Sequence, residues 1–348
     1  MHISINRLTI KMNKFKIRQF NIDDLPAVLV LYDRVMTARS PRYCRVINSE
    51  QLVRQYFGHP EFRMEGLFVA EVRGKIIGFI FGAVRLFPIT PDDELPGAFV
   101  NMILVDERYR RKGIGTALLE QVAEFGRRHG KKLLSASSDP MNPLAFWPGV
   151  NREWDDVVGF LRAQGFTTHH CEVSMDQVVE KFALSDYAER KLAELTEDGF
   201  QFIPYEPKYH DALLAAAGSP FWHLDLQSKI DPLPHPFIET AFLDLDNENI
   251  FGPEDVTIVV SAEDELCGFV ALCRNPGETI SYLGPIRICE PYKGCGMGSV
   301  MIQIALLRES ERGIQLVDLW CSQDNANRYY SRNGFIQHDA WDMYEREL

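Results

Sequence analysis

Two stretches of the chain change hydrophobic period in the same order. From Phe15, "FKIRQFNIDDLPAVLVLY" gives a short strand-like segment and then apolar residues at helical spacing, and "FQFIPYEPKYHDALLAAA" from Phe200 does the same. Each opening is followed by a hairpin-like pair of β-rich runs, "LFVAEVRGKIIGFIFGAV" at 67–84 and "VTIVVSAEDELCGFVALC" at 256–273. Both pairs carry Gly-Phe near the start of the second strand, at Gly78-Phe79 and Gly268-Phe269. A strand ("FVNMILV", "ISYLGPIRI") then runs into a glycine turn and a helix, from Gly113 and from Gly296. A further strand ("KKLLSAS", "IQLVDLWCS") and a helix ending in Gly165-Phe166 or Gly334-Phe335 complete each series. The matched landmarks are offset by 185, 190, 183 and 169 residues, which predicts duplication of a whole domain rather than an array of short repeats.

The pattern sets the expected organisation. A length of 348 residues suits more than one core. The first domain is expected at residues 15–175, a charged helical linker at 176–198 ending at Asp198-Gly199 as a helix C-terminus does, and the second domain at 199–348. Residues 1–14 lack this patterning and are expected to be a disordered or misassigned leader, with Met12 as an alternative start. The stretch at 219–237, with three closely spaced prolines, reads as an irregular surface loop.

Composition narrows the function classes. Hydrophobic residues at 46% and charged residues at 25% are ordinary for globular domains. A net charge of -12 gives no support to a phosphate-backbone partner, so no nucleic acid is expected. No apolar run reaches the roughly 18 residues of a membrane helix, and the first residues lack a signal peptide's apolar core, so the expectation is a cytoplasmic protein with no membrane partner. The seven cysteines are odd in number and form no CxxC pair, which suits reduced thiols. No metal is expected. His169, His170 and Cys171 are consecutive in a strand and alternate between its faces. Asp244, Asp246, Glu248 and Asp255 fit a calcium-loop template, but Asn249 stands where glycine is needed and Pro253 interrupts, leaving a solvated acidic loop that would attract a cationic amine. Phe146 and Trp147, in "FWPGV", are candidates for an acceptor-pocket wall or for loop packing.

The glycine turns carry the chemistry. The first N–H groups of a helix point outward with the positive end of its dipole, and glycines let an anion approach the backbone. Arg110, Gly113 and Gly115 supply this in the first repeat, and Lys293, Gly296 and Gly298 in the second. A Walker loop is absent, and a dinucleotide fingerprint would need glycine where Leu118 and Met301 stand.

With "ILVDERYRRKGIGTALL" and "NANRYYSRNGF", the chain resembles the GCN5-related N-acetyltransferase (GNAT) family over nearly its whole length, as two tandem domains. The resemblance implies an α/β fold, a mixed sheet flanked by helices in each half, with acetyl-CoA as co-substrate wedged where two central strands splay apart. It also implies that Leu104 and Val105, and Arg287 and Ile288, bind pantetheine through backbone groups, near a bulge that frees an N–H to polarise the acetyl carbonyl. The pyrophosphate falls to Arg110, Arg111, Lys112, Gly113, Ile114, Gly115 and Thr116, and to Lys293, Gly294, Cys295, Gly296, Met297, Gly298 and Ser299. Asn325 matches a cofactor-contacting asparagine, and Tyr330 the tyrosine that protonates the departing thiolate; the first repeat has Leu161 in that place.

The expected activity is therefore transfer of acetyl from acetyl-CoA to a primary amine of a small molecule or peptide, by direct attack. The second domain is expected to be catalytic, and the first to bind acetyl-CoA without turnover. The alternatives are a non-catalytic acyl-CoA sensor and transfer of another acyl or aminoacyl group. Acceptor, general base and oligomeric state are not legible.

Overall fold

The computed structural model describes residues 15–39, 57, 62–86, 97–136, 149–218, 253–274 and 279–348. The expectations for residues 1–14, for Phe146 and Trp147, for 219–237 and for the acidic positions in 244–252 lie outside the described residues. The chain divides into two compact units. Unit 1 comprises the described residues of Met1–Val84, Pro96–Ser135 and Arg346–Leu348, and unit 2 those of Arg85–Leu95 and Ala136–Glu345.

In unit 1 the period-2 runs form β1 (Lys16–Gln19), β2 (Leu67–Val72), β3 (Lys75–Val84), β4 (Gly97–Val105) and β5 (Leu133–Ala136), bonded in that order. All pairs are antiparallel except β4–β5. Helices α1 (Leu25–Thr37) and α2 (Ile114–Arg128) pack on this sheet. The glycines of β3 set how closely α2 approaches: a Cβ on Gly82 would lie 2.5 Å from Val122, and one on Gly78 3.1 Å from Leu118. These contacts explain the glycine that precedes phenylalanine in the first hairpin.

Unit 2 contains β6 (Val150–Asn151), α3 (Asp155–Ala163), β7 (Thr167–Val178), α4 (Asp186–Glu197), β8 (Gln201–Pro204), α5 (His210–Gly218), β9 (Val256–Val260), β10 (Leu266–Arg274), β11 (Ile280–Ile288), α6 (Met297–Glu311), β12 (Leu316–Ser322) and β13 (Ile336–Glu347). The strand order is β13-β7-β12-β11-β10-β9-β8, with β6 on β13, and only β11–β12 is parallel. One core joins α6 to the sheet through Met297, Val300, Met301 and Leu306 against Val173, Val270, Val317 and Leu319. Tyr209, Leu213, Ile258 and Phe269 belong to a second cluster. Nearly all sides of α6 are apolar because α4 packs on it too, with Leu195 in the same core.

The boundary expected near residue 175 is not where the compact units divide. β7, the last strand of the first repeat in sequence, is bonded between β12 and β13: Glu172 to Val178 face Ser322 to Leu316, and Thr167 to Asp176 face Glu345 to Ile336. Hydrogen-bond partners decide which sheet a strand joins, and these lie 138 or more residues away in sequence. The expected linker helix is likewise an integral part of unit 2: the Ser185 N–H donates to Gln303 Oε1 at 3.0 Å and the Phe182 N–H to Ser310 Oγ at 3.1 Å.

The parallel pairs are short in both units. Among the described residues β4 pairs with β5 from Gly97↔Leu133 to Phe99↔Ser135, and it keeps its antiparallel pairing with β3 to Val105. β11 pairs with β12 only from Ile280↔Leu316 to Tyr282↔Asp318, while the strands continue to Ile288 and Ser322. Unit 2 thus has an opening between its two parallel strands, where alternate backbone groups have no strand partner among the described residues. No helix among the described residues is long and apolar enough to cross a membrane.

Candidate active site

Both glycine turns have one backbone path. In unit 1, Arg111 (φ 60°) and Gly113 (φ 82°) are left-handed, and Gly113 is the N-cap of α2. In unit 2 the corresponding residues are Gly294 (φ 84°) and Gly296 (φ 86°), and Gly296 is the N-cap of α6. The shared feature is therefore a pair of left-handed residues, one at the N-cap of each helix and one two positions before it, whatever side chain occupies the first of them. The first helical bond in unit 1 runs from the Ala117 N–H to Gly113 O, so the N–H groups of Ile114, Gly115 and Thr116 have no acceptor within the helix. In unit 2 the Ser299 N–H is already turned to Gly296 O at 3.1 Å, leaving Met297 and Gly298.

The side chains around the two turns differ. In unit 1 the Arg110 Nε donates to Val105 O at 3.2 Å and Lys112 Nζ to Arg108 O at 2.9 Å, while Arg111, Lys112 and Thr116 are exposed and Ile114 is buried. Asp106 anchors this corner: its N–H donates to Ile77 O at 2.8 Å, and its buried carboxylate takes Arg108 at 2.8 Å and Arg34 at 2.5 Å. The Arg108 hydrogen bond, followed by the charges of Arg108 and Arg34, holds the Asp106 carboxyl at about 2 against an ordinary 3.8. A depressed folded-state value stabilises above the unfolded value and ceases to do so as pH falls through the folded one. Asp106→Asn is therefore expected to lower the thermal unfolding midpoint at pH 7, with the difference from wild type shrinking from about pH 4 downward and gone below about pH 2.

In unit 2 Lys293 is exposed and paired with Glu290 at 2.7 Å, and the Cys295 thiol donates to Tyr292 O at 2.9 Å. Here α4 stands over the turn. A Cβ on Gly296 would lie 2.6 Å from the Tyr187 hydroxyl and 3.2 Å from Lys191, and a cleft of about 480 Å³ separates Tyr187, Arg190 and Lys191 from Gly294, Cys295 and Gly296. Sequence reasoning gave α4 no site residue, although "RKL" on a helix adjoining the second repeat was a usable signal.

The strand ends are regular. Leu104 and Val105 pair with Phe79 and Gly78, and Arg287 and Ile288 with Phe269 and Gly268. The bulges lie upstream of the expected strand ends: Asn101 is the extra residue of β4, and Gly284 with Pro285 oppose the single Ala271. Proline has no N–H to give the ladder, so a bulge is where β11 can carry one.

Tyr330 closes the segment Ala326–Tyr330, which continues from the short helix Gln323–Asn325 capped by Ser322. Its ring is buried edge-on to Tyr329 and Phe335, at centroid distances of 5.0 and 5.7 Å. Burial, followed by the negative charge that Cys321 and Glu172 carry when ionised, pushes its hydroxyl far above the usual phenol range and keeps it protonated at neutral pH. Tyr329 is committed elsewhere, donating to Gly298 O at 2.7 Å and so tying this segment to the first turn of α6. Asn325 is exposed in the same segment. Leu161, the counterpart of Tyr330 in the first repeat, is buried in α3 and belongs to unit 2. His169 lies 3.9 Å from Glu345, and His170 bonds Glu172 at 3.2 Å, so the adjacent histidines serve different partners.

A sequence profile of the acetyltransferase (GNAT) family matches residues 32–147 and again residues 221–335, one match per repeat. The chain belongs to the GNAT family. Among GNAT relatives, an uncharacterized N-acetyltransferase of Methanocaldococcus jannaschii is 30% identical over 152 residues, covering 42% of this chain and 65% of that one. An L-2,4-diaminobutyric acid acetyltransferase of Nocardia farcinica is 36% identical over 86 residues, covering 24% of this chain and 42% of that one. The chain thus spans less than two thirds of each of these curated relatives. The tandem GNAT arrangement recurs in a solved tandem GNAT protein from the clavulanic acid biosynthesis pathway, with a TM-score of 0.67 at 15% identity over 96% of this chain and 98% of that one.

Proposed function

We propose that this GNAT protein is an acetyl-CoA-dependent N-acetyltransferase whose chemistry occurs in unit 2, with unit 1 binding acyl-CoA without turnover. The observation that supports this division is that one compact unit builds the second glycine turn, the opening between β11 and β12, and the protonated Tyr330. In this reading the Met297 and Gly298 N–H groups and Lys293 hold the pyrophosphate, with Gly294, Cys295, Gly296 and Ser299 shaping the turn. The open edge of β11 towards Arg287 and Ile288 pairs with pantetheine, and Asn325 reaches the cofactor from the next segment. Tyr330 gives its proton to the sulfur as the carbon–sulfur bond breaks. In unit 1, Arg110 to Thr116 and the edge at Leu104 and Val105 bind in the same way, but the first repeat's counterpart of Tyr330 is Leu161, which offers no proton and is part of unit 2.

The acceptor is a primary amine of a small molecule or peptide, and the reaction uses no metal. A cytoplasmic setting suits reduced cysteines and an acyl-CoA substrate. The test combines calorimetric titration of acetyl-CoA with thiol release in the presence of primary amines, beginning with 2,4-diaminobutyrate. Binding together with amine-dependent thiol release is the expected result. Binding with no release for any amine would point to an acyl-CoA sensor, and absence of binding would overturn the reading.

A further inference from the structure

Direct transfer leaves one requirement without a residue. A primary amine near neutral pH is almost entirely ammonium, and its nitrogen has no lone pair to attack with until a proton is removed. The base must lie at the edge of the opening, beside the proton donor and on the same unit.

β7 brings a carboxylate to that place. Because β7 runs antiparallel to β12, Glu172 sits opposite Ser322, the last residue of β12. This end of β12, beyond Asp318, is the part that β11 has left, so it borders the opening. Ser322 also caps the segment that ends at Tyr330. The Glu172 charge is felt at both the Tyr330 hydroxyl and the Cys321 thiol. Its side chain is only 16% exposed, and among the described residues its side-chain partner is His170 Nε2 at 3.2 Å, itself half exposed at 49%.

We propose that Glu172 is the general base of the unit 2 site, taking a proton from the acceptor ammonium and passing it to solvent through His170. The inference rests on the acetyltransferase reading above. The titratable groups around it are His170 and Cys171 on its own strand, Cys321 from β12 and Tyr330 from the segment after it; β13 places Trp341 opposite, which does not titrate. Burial raises the Glu172 carboxyl above the usual range, against the opposing hydrogen bond from His170, and so strengthens it as a base.

The balance closes as follows. Glu172 takes one proton from the ammonium, the freed nitrogen bonds to the acetyl carbon, and the carbon–sulfur bond breaks with its electron pair going to sulfur. Tyr330 protonates the sulfur and is reprotonated by the second proton that the nitrogen gives up as the amide forms. One proton leaves to water by way of His170.

The test compares wild type, Glu172→Gln and Glu172→Asp in thiol release from acetyl-CoA across pH. Acetyl-CoA affinity and unfolding temperature are measured alongside, and hydroxylamine serves as a second acceptor that is already neutral at pH 7. Glu172→Gln is expected to lose about 100-fold or more in kcat/KM at pH 7 with an ammonium-type amine, with the loss shrinking as pH approaches the amine's own pKa. With hydroxylamine, and in acetyl-CoA affinity, it should stay near wild type. Glu172→Asp, which keeps the carboxylate, should recover part of the rate. A Glu172→Gln rate within about threefold of wild type at pH 7, a loss of equal size at every pH, or an Asp variant no better than Gln would each overturn the assignment. If wild type binds acetyl-CoA but releases no thiol with any amine, the acetyltransferase reading itself fails and this inference falls with it.

Discussion

Tyr330→Phe is expected to lower kcat for amine-dependent thiol release about 100-fold and to leave acetyl-CoA affinity unchanged. The ring is held edge-on between Tyr329 and Phe335, so phenylalanine keeps the packing and removes only the hydroxyl. Among the described residues nothing else holds that hydroxyl, whereas the neighbouring Tyr329 hydroxyl is spent on Gly298 O. Tyr329→Phe should therefore weaken cofactor binding more than it slows chemistry. The raised Tyr330 value fixes a sign: the donor stays protonated as pH rises, so wild-type activity should not fall up to about pH 10. A wild-type rate that drops between pH 8 and pH 9, or a Tyr330→Phe variant with normal kcat, would remove Tyr330 from the reaction.

Gly298→Glu is expected to weaken acetyl-CoA binding in unit 2 by more than about 100-fold and to end thiol release, because it sets a carboxylate beside the N–H groups proposed to hold pyrophosphate. The fold should tolerate it. A Cβ on Gly298 would lie 3.4 Å from the Tyr329 hydroxyl, ordinary contact, and the backbone there is not left-handed. Gly115→Glu in unit 1 should abolish a second calorimetric site and spare turnover. The opposite outcome, turnover lost in Gly115→Glu and kept in Gly298→Glu, would move catalysis to unit 1.

What the sequence revealed was what is local. The left-handed residues before α2 and α6 announce themselves as Gly113, Gly294 and Gly296, because few other residues take that backbone without strain. Only Arg111 hides its place in the pattern. The second repeat's Tyr330, and its replacement by Leu161, were readable from a fixed distance to the closing Gly-Phe pair. The placement of β7 was not readable, since a strand's alternation shows which face is buried and says nothing about which strands flank it. The place proposed for Glu172 was hidden for the same reason: it is set by Ser322 and Tyr330, more than 140 residues further on. α4 was taken for a linker because its outer face is charged; its inner contact is mainly Ala188, Leu192 and Leu195.

The insertion of β7 between β12 and β13 bears on how such a gene can change. A truncation at the apparent junction near residue 198 would leave the second half without the strand that separates two of its own, exposing two unpaired edges open to aggregation. The sheet of unit 2 therefore depends on the last strand of the first repeat, whatever the first cofactor turn does. If that turn does no chemistry, as proposed, its residues can change at little cost while β7 cannot.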